Sequence, residues 1–224
     1  MIELRNVTKT YWMGKSRHEA LKGVSLQIDT GELVAIMGAS GSGKTTTMNI
    51  LGLLDHPTTG EYYLNEQDVS QLSHNQQATL RNHSIGFVFQ SFFLLSRLDA
   101  LQNVALPLTY RNVGAKTIKK QAMAMLGKVG MSEWWNHRPN ELSGGQQQRV
   151  AIARALVGDP NIVLADEPTG SLDSKTGQAV LDLLIQLNKT EKTTVIIITH
   201  DERVASRCPR VVKLRDGLVM EEDG

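Results

Sequence analysis

The sequence predicts an α/β protein: a mostly parallel sheet flanked by helices, with an antiparallel β part at the N-terminus and a helical subdomain inserted further along. Three observations predict it. Continuous apolar runs at Leu33–Met37, 162–165 and 195–198 are each followed by Gly or polar residues and then a helical pattern, as strands covered on both faces require. Before them the apolar positions alternate. Between 98 and 140 they recur at helical spacing. Taken in order, Ile2, Leu4 and Val7 make one alternating run and Val24, Leu26 and Ile28 another, on either side of the polar segment 15–19, which reads as an antiparallel hairpin. The run Leu33–Met37 opens the core and leads to a helix over 46–54. Within 98–140, Ile118, Ala122, Met125, Leu126 and Val129 fall three and four residues apart, giving one apolar helix face. A last apolar helix over 150–156 precedes the acidic-ended strand at 162, and the strand at 195 closes the core. The expected division is one domain, 1–224, with a core of 1–90 and 157–224 and a helical part of 91–156.

Composition excludes several classes. With 224 residues, 41% hydrophobic and 21% charged, the chain can bury a real core and is not disordered, collagenous or coiled-coil. Its longest stretch without Asp, Glu, Lys or Arg, 82–96, is 15 residues, too short and too polar to span a bilayer. A formal charge of +1 lacks the basic excess of nucleic-acid binders, so no nucleic acid partner is expected. The single cysteine, Cys208, permits no internal disulfide and reads as a small residue near the surface. The N-terminus lacks a basic-then-apolar signal pattern, so the chain is expected in the cytoplasm.

Two motifs carry chemistry. After Leu33–Met37 come Gly38-Ala39-Ser40-Gly41-Ser42-Gly43-Lys44-Thr45, which fit G-x-x-x-x-G-K-[ST] without a mismatch. Glycines let the backbone curl until successive N–H groups face phosphate oxygens, and the helix that follows adds its positive end. Lys44 would then reach the β- and γ-phosphates and the Thr45 hydroxyl would bind Mg2+, with Thr46 completing the cradle. The strand at 162–165 ends in Asp166-Glu167. Asp166 would hold the metal and Glu167 would orient or deprotonate the attacking water. Together these read as a P-loop NTPase.

Leu142-Ser143-Gly144-Gly145-Gln146-Gln147-Gln148-Arg149, just before the helix at 150, resembles the signature motif of ATP-binding cassette proteins. The resemblance implies that Ser143, Gly144, Gly145 and Gln146 close on the γ-phosphate of ATP held by a second copy. Gln90, in Gly86-Phe87-Val88-Phe89-Gln90, resembles the glutamine that contacts Mg2+ and the attacking water. His200 resembles the switch histidine on the γ-phosphate, Asp173 in Ser171-Leu172-Asp173 the loop crossing the dimer interface, and Tyr11 the aromatic that stacks on adenine.

The strings Met48-Asn49-Ile50-Leu51-Gly52-Leu53-Leu54-Asp55 and 165–174 are similar to the macrolide-export and lipoprotein-release group, with Thr45-Thr46-Thr47 where Ser-Thr is commoner. That implies ATP and Mg2+ as cofactors, an ATP-dependent homodimer, and an integral membrane permease that places the chain peripherally on the cytoplasmic side of the inner membrane. Phe92-Phe93-Leu94-Leu95 lie where this family receives a short permease helix, and part of that segment is expected to be exposed. Fused members continue past this length, so the chain reads as a separate subunit or a piece of a longer one. Cassettes acting on DNA or ribosomes carry long coiled-coil insertions or two cassettes, which this chain lacks. A signalling cassette of the cell-division type, moving a membrane partner without cargo, stays open as the alternative. A GTPase reading of Asn188-Lys189-Thr190-Glu191 fails for want of the guanine motif's Asp.

Overall fold

The computed structural model describes residues 1–14 and 16–223; Lys15, the first residue of the polar segment between the two N-terminal runs, and Gly224 lie outside them. The first elements are β1 (Ile2–Met13), β2 (Ser16–Ile28), β3 (Leu33–Met37), α1 (Lys44–Leu51), β4 (Thr59–Leu64), β5 (Gln67–Asp68), α2 (His74–Ser84) and β6 (Ile85–Phe89). There follow α3 (Ala100–Thr109), α4 (Ala115–Lys128), α5 (Gly144–Leu156), β7 (Ile162–Asp166), α6 (Ser174–Glu191), β8 (Thr194–Thr199), α7 (Glu202–Ala205), β9 (Arg210–Arg215) and β10 (Leu218–Asp223). By contacts the chain divides into two compact units, residues 1–81 with 194–224, and residues 82–193.

The first unit holds the predicted hairpin. Strands β1 and β2 pair antiparallel with Ile2 opposite Ile28, Leu4 opposite Leu26 and Val7 opposite Val24, all six buried. Asn6, at φ 52°, sits in the register shift between Leu4 and Val7, which resets the alternation so that Val7 still faces inward. On the other side β1 pairs with β4, which carries β5. Strand β3 runs parallel to both β8 and β9, with β10 antiparallel to β9. Val34, Ala35, Ile36 and their β8 neighbours Ile196 to Ile198 are fully buried, each large side chain contributing roughly 1.5–3 kcal/mol.

In the second unit β6 and β7 pair in parallel, Ile85 opposite Ile162 through Phe89 opposite Asp166. Helix α5 packs against β6 so closely that a Cβ on Gly86 would stand 2.3 Å from the Ala155 carbonyl oxygen. The α/β class, the parallel core and the N-terminal antiparallel sheet are as the sequence reads. The helical pattern of 98–140 is interrupted, however. Asp99 starts α3 with a reciprocal Asp99–Gln102 capping box, residues 110–114 break the chain, and α4 restarts at the Gly114 N-cap and ends before Gly130 at φ 72°. The predicted face of α4 is as expected, with Ala122, Met125 and Leu126 buried.

Cys208 corrects the sequence reading. It is buried at 7% exposure, its Sγ near the Val204 carbonyl oxygen, in the turn after α7 where its N–H donates to the Ala205 carbonyl oxygen. Burial pushes its thiol up to about 11, which makes it inert rather than reactive.

Candidate functional site

The loop from Gly38 to Gly43 joins β3 to α1. Two glycines shape it. A Cβ at Gly38 would lie 2.3 Å from the Leu214 carbonyl oxygen and 2.4 Å from Ser42 Oγ, so no side chain fits. Gly43 caps α1 at φ 103°, and a Cβ there would meet the Ala20 carbonyl oxygen at 2.9 Å. Lys44 Nζ folds back to donate to the carbonyl oxygens of Gly38 at 2.6 Å and Ala39 at 2.9 Å. The Ser42 hydroxyl is buried and has no hydrogen-bond partner among the described residues. Gly43 supplies no side-chain cap to the first turn of α1. An orphaned hydroxyl, uncapped N–H groups and an ammonium satisfied only by loop carbonyls are the donor set that phosphate oxygens would complete. Ala39, Ser40, Gly41 and Thr45 are exposed and Thr46 is half-buried.

Strand pairing brings a second predicted residue alongside. Met37 lies opposite Thr199, so Gly38 and His200 leave neighbouring strands at the same end. His200 is exposed beside Asp201, which caps α7 by accepting from the Arg203 N–H at 2.8 Å. The Arg203 side chain on Asp201 holds that carboxyl below its usual range.

Tyr11 stands on β1 with its hydroxyl donating to Asp55 Oδ2 at 2.9 Å, while Lys9 Nζ grips Asp55 Oδ1 at 2.6 Å. Burial and the Asp55 contact raise the Tyr11 hydroxyl above its ordinary pKa. Burial alone would raise Asp55 too, but the bonds from Lys9 and Tyr11 outweigh it and keep the carboxylate low.

In the second unit, the register that sets Phe89 opposite Asp166 makes Gln90 and Glu167 the next residues at one end of β6 and β7. Glu167 holds φ 44°, a left-handed conformation that costs a bulky residue of order 1–3 kcal/mol. The Gln90 amide lies across Gly170, where a Cβ would meet its Nε2 at 2.8 Å. Gln148, fully buried, donates from Nε2 to the carbonyl oxygens of Pro168 at 2.5 Å and Phe89 at 3.3 Å, tying α5 to the segments after both strands. Sequence reasoning gave Gln148 no role of its own. The available signal was a polar residue spaced three and four from buried Gly145 and Ile152.

Ser143 caps α5 in a reciprocal box: its N–H donates to Gln146 Oε1 at 2.8 Å, and the Gln146 N–H to Ser143 Oγ at 3.3 Å. A Cβ at Gly145 would meet Thr176 Cγ2 at 2.3 Å, so the start of α5 abuts the start of α6. Asp173 caps α6 through the Thr176 N–H at 3.0 Å, and the Thr176 side chain, with that N–H, lowers its pKa. Ser143 and Asp173 are both exposed, which puts two helix N-termini side by side on the surface. Nearby, Phe93 is 63% and Leu95 48% exposed. Phe92 and Phe93 are both left-handed, with Arg154 donating to their carbonyl oxygens.

The predicted residues thus gather in sets within each unit: the loop 38–46 with His200 at the neighbouring strand end, Tyr11 with Lys9 and Asp55, the strand-end trio Gln90, Asp166 and Glu167, and the exposed caps 143–146 with Asp173. Oxygen donors such as the Thr45 hydroxyl, the Gln90 amide and the Asp166 carboxylate are of the hard kind that Mg2+ takes together with phosphates.

Residues 21–170 match the ABC transporter family. The Macrolide export ATP-binding/permease protein MacB of Syntrophobacter fumaroxidans is 49% identical over all of this chain, which covers 32% of that protein. The chain thus spans about a third of the length of the MacB relatives it matches. The ABC transporter ATP-binding protein YknY of Bacillus subtilis is 50% identical, with 98% of this chain and 95% of that one aligned. Among solved structures, the ATP-binding cassette MJ0796 of Methanocaldococcus jannaschii, a dimer in a post-hydrolysis state bound to ADP and Pi, superposes with a TM-score of 0.90 at 48% identity, covering 100% of this chain and 98% of that one. With the cradle, the strand-end acids and the signature helix in place, the chain belongs to the ABC transporter family, as one of its ATPase cassettes.

Proposed function

We propose that two copies of the chain close head to tail around two ATP and that hydrolysis to ADP and phosphate drives a membrane permease of the macrolide-export or lipoprotein-release type. The observation that carries this is the phosphate cradle: Lys44 folded on the carbonyls of Gly38 and Ala39 beside the buried, unpartnered Ser42 hydroxyl. Each site takes Tyr11, residues 38–46, Gln90, Asp166, Glu167 and His200 from one copy, and residues 143–146 with Asp173 from the other. Lys44 exchanges its loop carbonyls for β- and γ-phosphate oxygens, Tyr11 stacks on adenine, and His200 donates to the γ-phosphate. Glu167 accepts the proton of the attacking water, and Gln90 orients that water. Thr45, Gln90 and Asp166 would hold Mg2+, which when bound would neutralise charge on the phosphates. The surface position of Ser143 and Asp173 supports a second copy as the partner of those caps. The exposed Phe93 and Leu95 support a helix-in-groove contact with the permease, which would hold the chain peripherally on the cytoplasmic face of the membrane. In this reading 1–90 with 157–224 is the ATP-binding part and 91–156 the signature part. The test is steady-state ATP hydrolysis by purified protein. Replacing Glu167 by Gln removes the base while keeping size, and is expected to lower the rate on the order of 100-fold or more; an unchanged rate would remove Glu167 from the chemistry.

A further inference from the structure

Tyr11 does not stand alone on β1. Lys9, two residues away on the same strand face, places Nζ 5.0 Å from the Tyr11 ring centroid. The same ammonium donates to Asp55 Oδ1 at 2.6 Å and to the His56 carbonyl oxygen at 2.8 Å. Asp55 receives the Tyr11 hydroxyl on its other oxygen at 2.9 Å and the His56 N–H on the first at 2.8 Å. An aromatic side chain has only two torsions. One hydroxyl fixed at a charged oxygen and one ring face under a cation leave it little freedom in either. The carboxylate is itself immobilised, since Lys9 is only 12% exposed.

We propose that Asp55, clamped by Lys9, is a positioning residue that sets the plane of the Tyr11 ring and thereby the base-dependent part of nucleotide affinity. The inference rests on the reading of Tyr11 as the adenine platform. Stacking depends on ring orientation, whereas phosphate contacts at the loop 38–46 do not. A ring free to swing about its torsions must be ordered anew at each binding event, and that entropy is subtracted from affinity for the base alone. Asp55 touches no nucleotide in this scheme; it acts through Tyr11.

The experiment is equilibrium binding of ATP and of inorganic tripolyphosphate, without turnover, to the wild type and to Asp55→Ala, Asp55→Asn, Tyr11→Phe and Tyr11→Ala, each checked by thermal melting. Asp55→Ala is expected to weaken ATP by about tenfold and to leave tripolyphosphate within about twofold. Tyr11→Phe, which keeps the ring and loses the hydroxyl, should match it, and the two together should cost no more than either alone. Asp55→Asn, which still accepts a hydrogen bond, should recover most of the loss, and it decides the matter if the alanine variant does not fold. If Tyr11→Ala weakens ATP selectively but the Asp55 variants do not, the positioning role is wrong and the platform stands. Equal weakening of both ligands by Asp55→Ala would mean general damage and overturn the proposal. Unchanged ATP affinity in Tyr11→Ala would remove the platform, and the proposal with it.

Discussion

Lys44 occupies the position its ligand would contest. Its ammonium is satisfied by two backbone carbonyls, so binding phosphate exchanges neutral acceptors for anionic ones and adds a direct attraction between opposite charges. Removing the side chain therefore affects the ligand far more than the fold. Lys44→Ala is expected to weaken ATP binding by about 10- to 100-fold while thermal melting moves little; unchanged affinity in the folded variant would place Lys44 outside the site. At this scale the sequence was most legible where chemistry is written in a local string. Lys44, Ser143 and Glu167 stand in contiguous motifs whose order implies their geometry. Asp55 and Gln148 were not legible as functional residues, since what each does depends on a partner far along the chain: Tyr11 is 44 residues from Asp55, and Pro168 is 20 from Gln148. Nor does any local string predict that Glu167 sits at φ 44°.

Elements follow their periodicity wherever one face is buried. The N-terminal alternation, the runs at β3, β7 and β8 and the face of α4 were all readable, because burial selects the same apolar positions that the eye counts. The break at 110–114 was not, although Asn112 and Gly114 are turn residues, because helical spacing continues on both sides of it and α3 tolerates Pro107 inside it. Strand β5, with only Gln67 and Asp68, is too short to show any period. One close element contact is testable: at Gly86 an added methyl would press on the Ala155 backbone of α5, and overpacking of that kind costs about 1–3 kcal/mol. Gly86→Ala should lower the melting temperature by about 2–4 °C per kcal/mol lost. Gly114→Ala, where nothing lies within 4 Å and φ is −67°, should scarcely move it. Equal melting of the two variants would show that β6 and α5 can separate without cost.

At the scale of the whole molecule, the caps at Ser143 and Asp173 are exposed, while the phosphate cradle carries donors that one chain leaves for an outside acceptor. A γ-phosphate bound in the cradle of one copy and closed over by the caps of another would join two surfaces that are each incomplete. ATP should therefore promote association, ADP should not, and hydrolysis should reverse it. Glu167→Gln isolates this step, because the amide retains the size and a hydrogen bond of the acid but cannot take the proton of water. Bound ATP and Mg2+ would then persist. By mass action, a state that alone can hold the second copy accumulates until dimer dominates. Sedimentation of the Glu167→Gln protein with ATP, with ADP and with no nucleotide is expected to give a dimer in the first condition and monomers in the other two. Adding Ser143→Arg, whose bulk would occupy the cap, should return the ATP-bound protein to monomer without changing ATP affinity in the monomer. A monomer throughout, or a dimer that forms equally with ADP, would sink the composite site and leave Glu167 as an ordinary acid at the end of a strand.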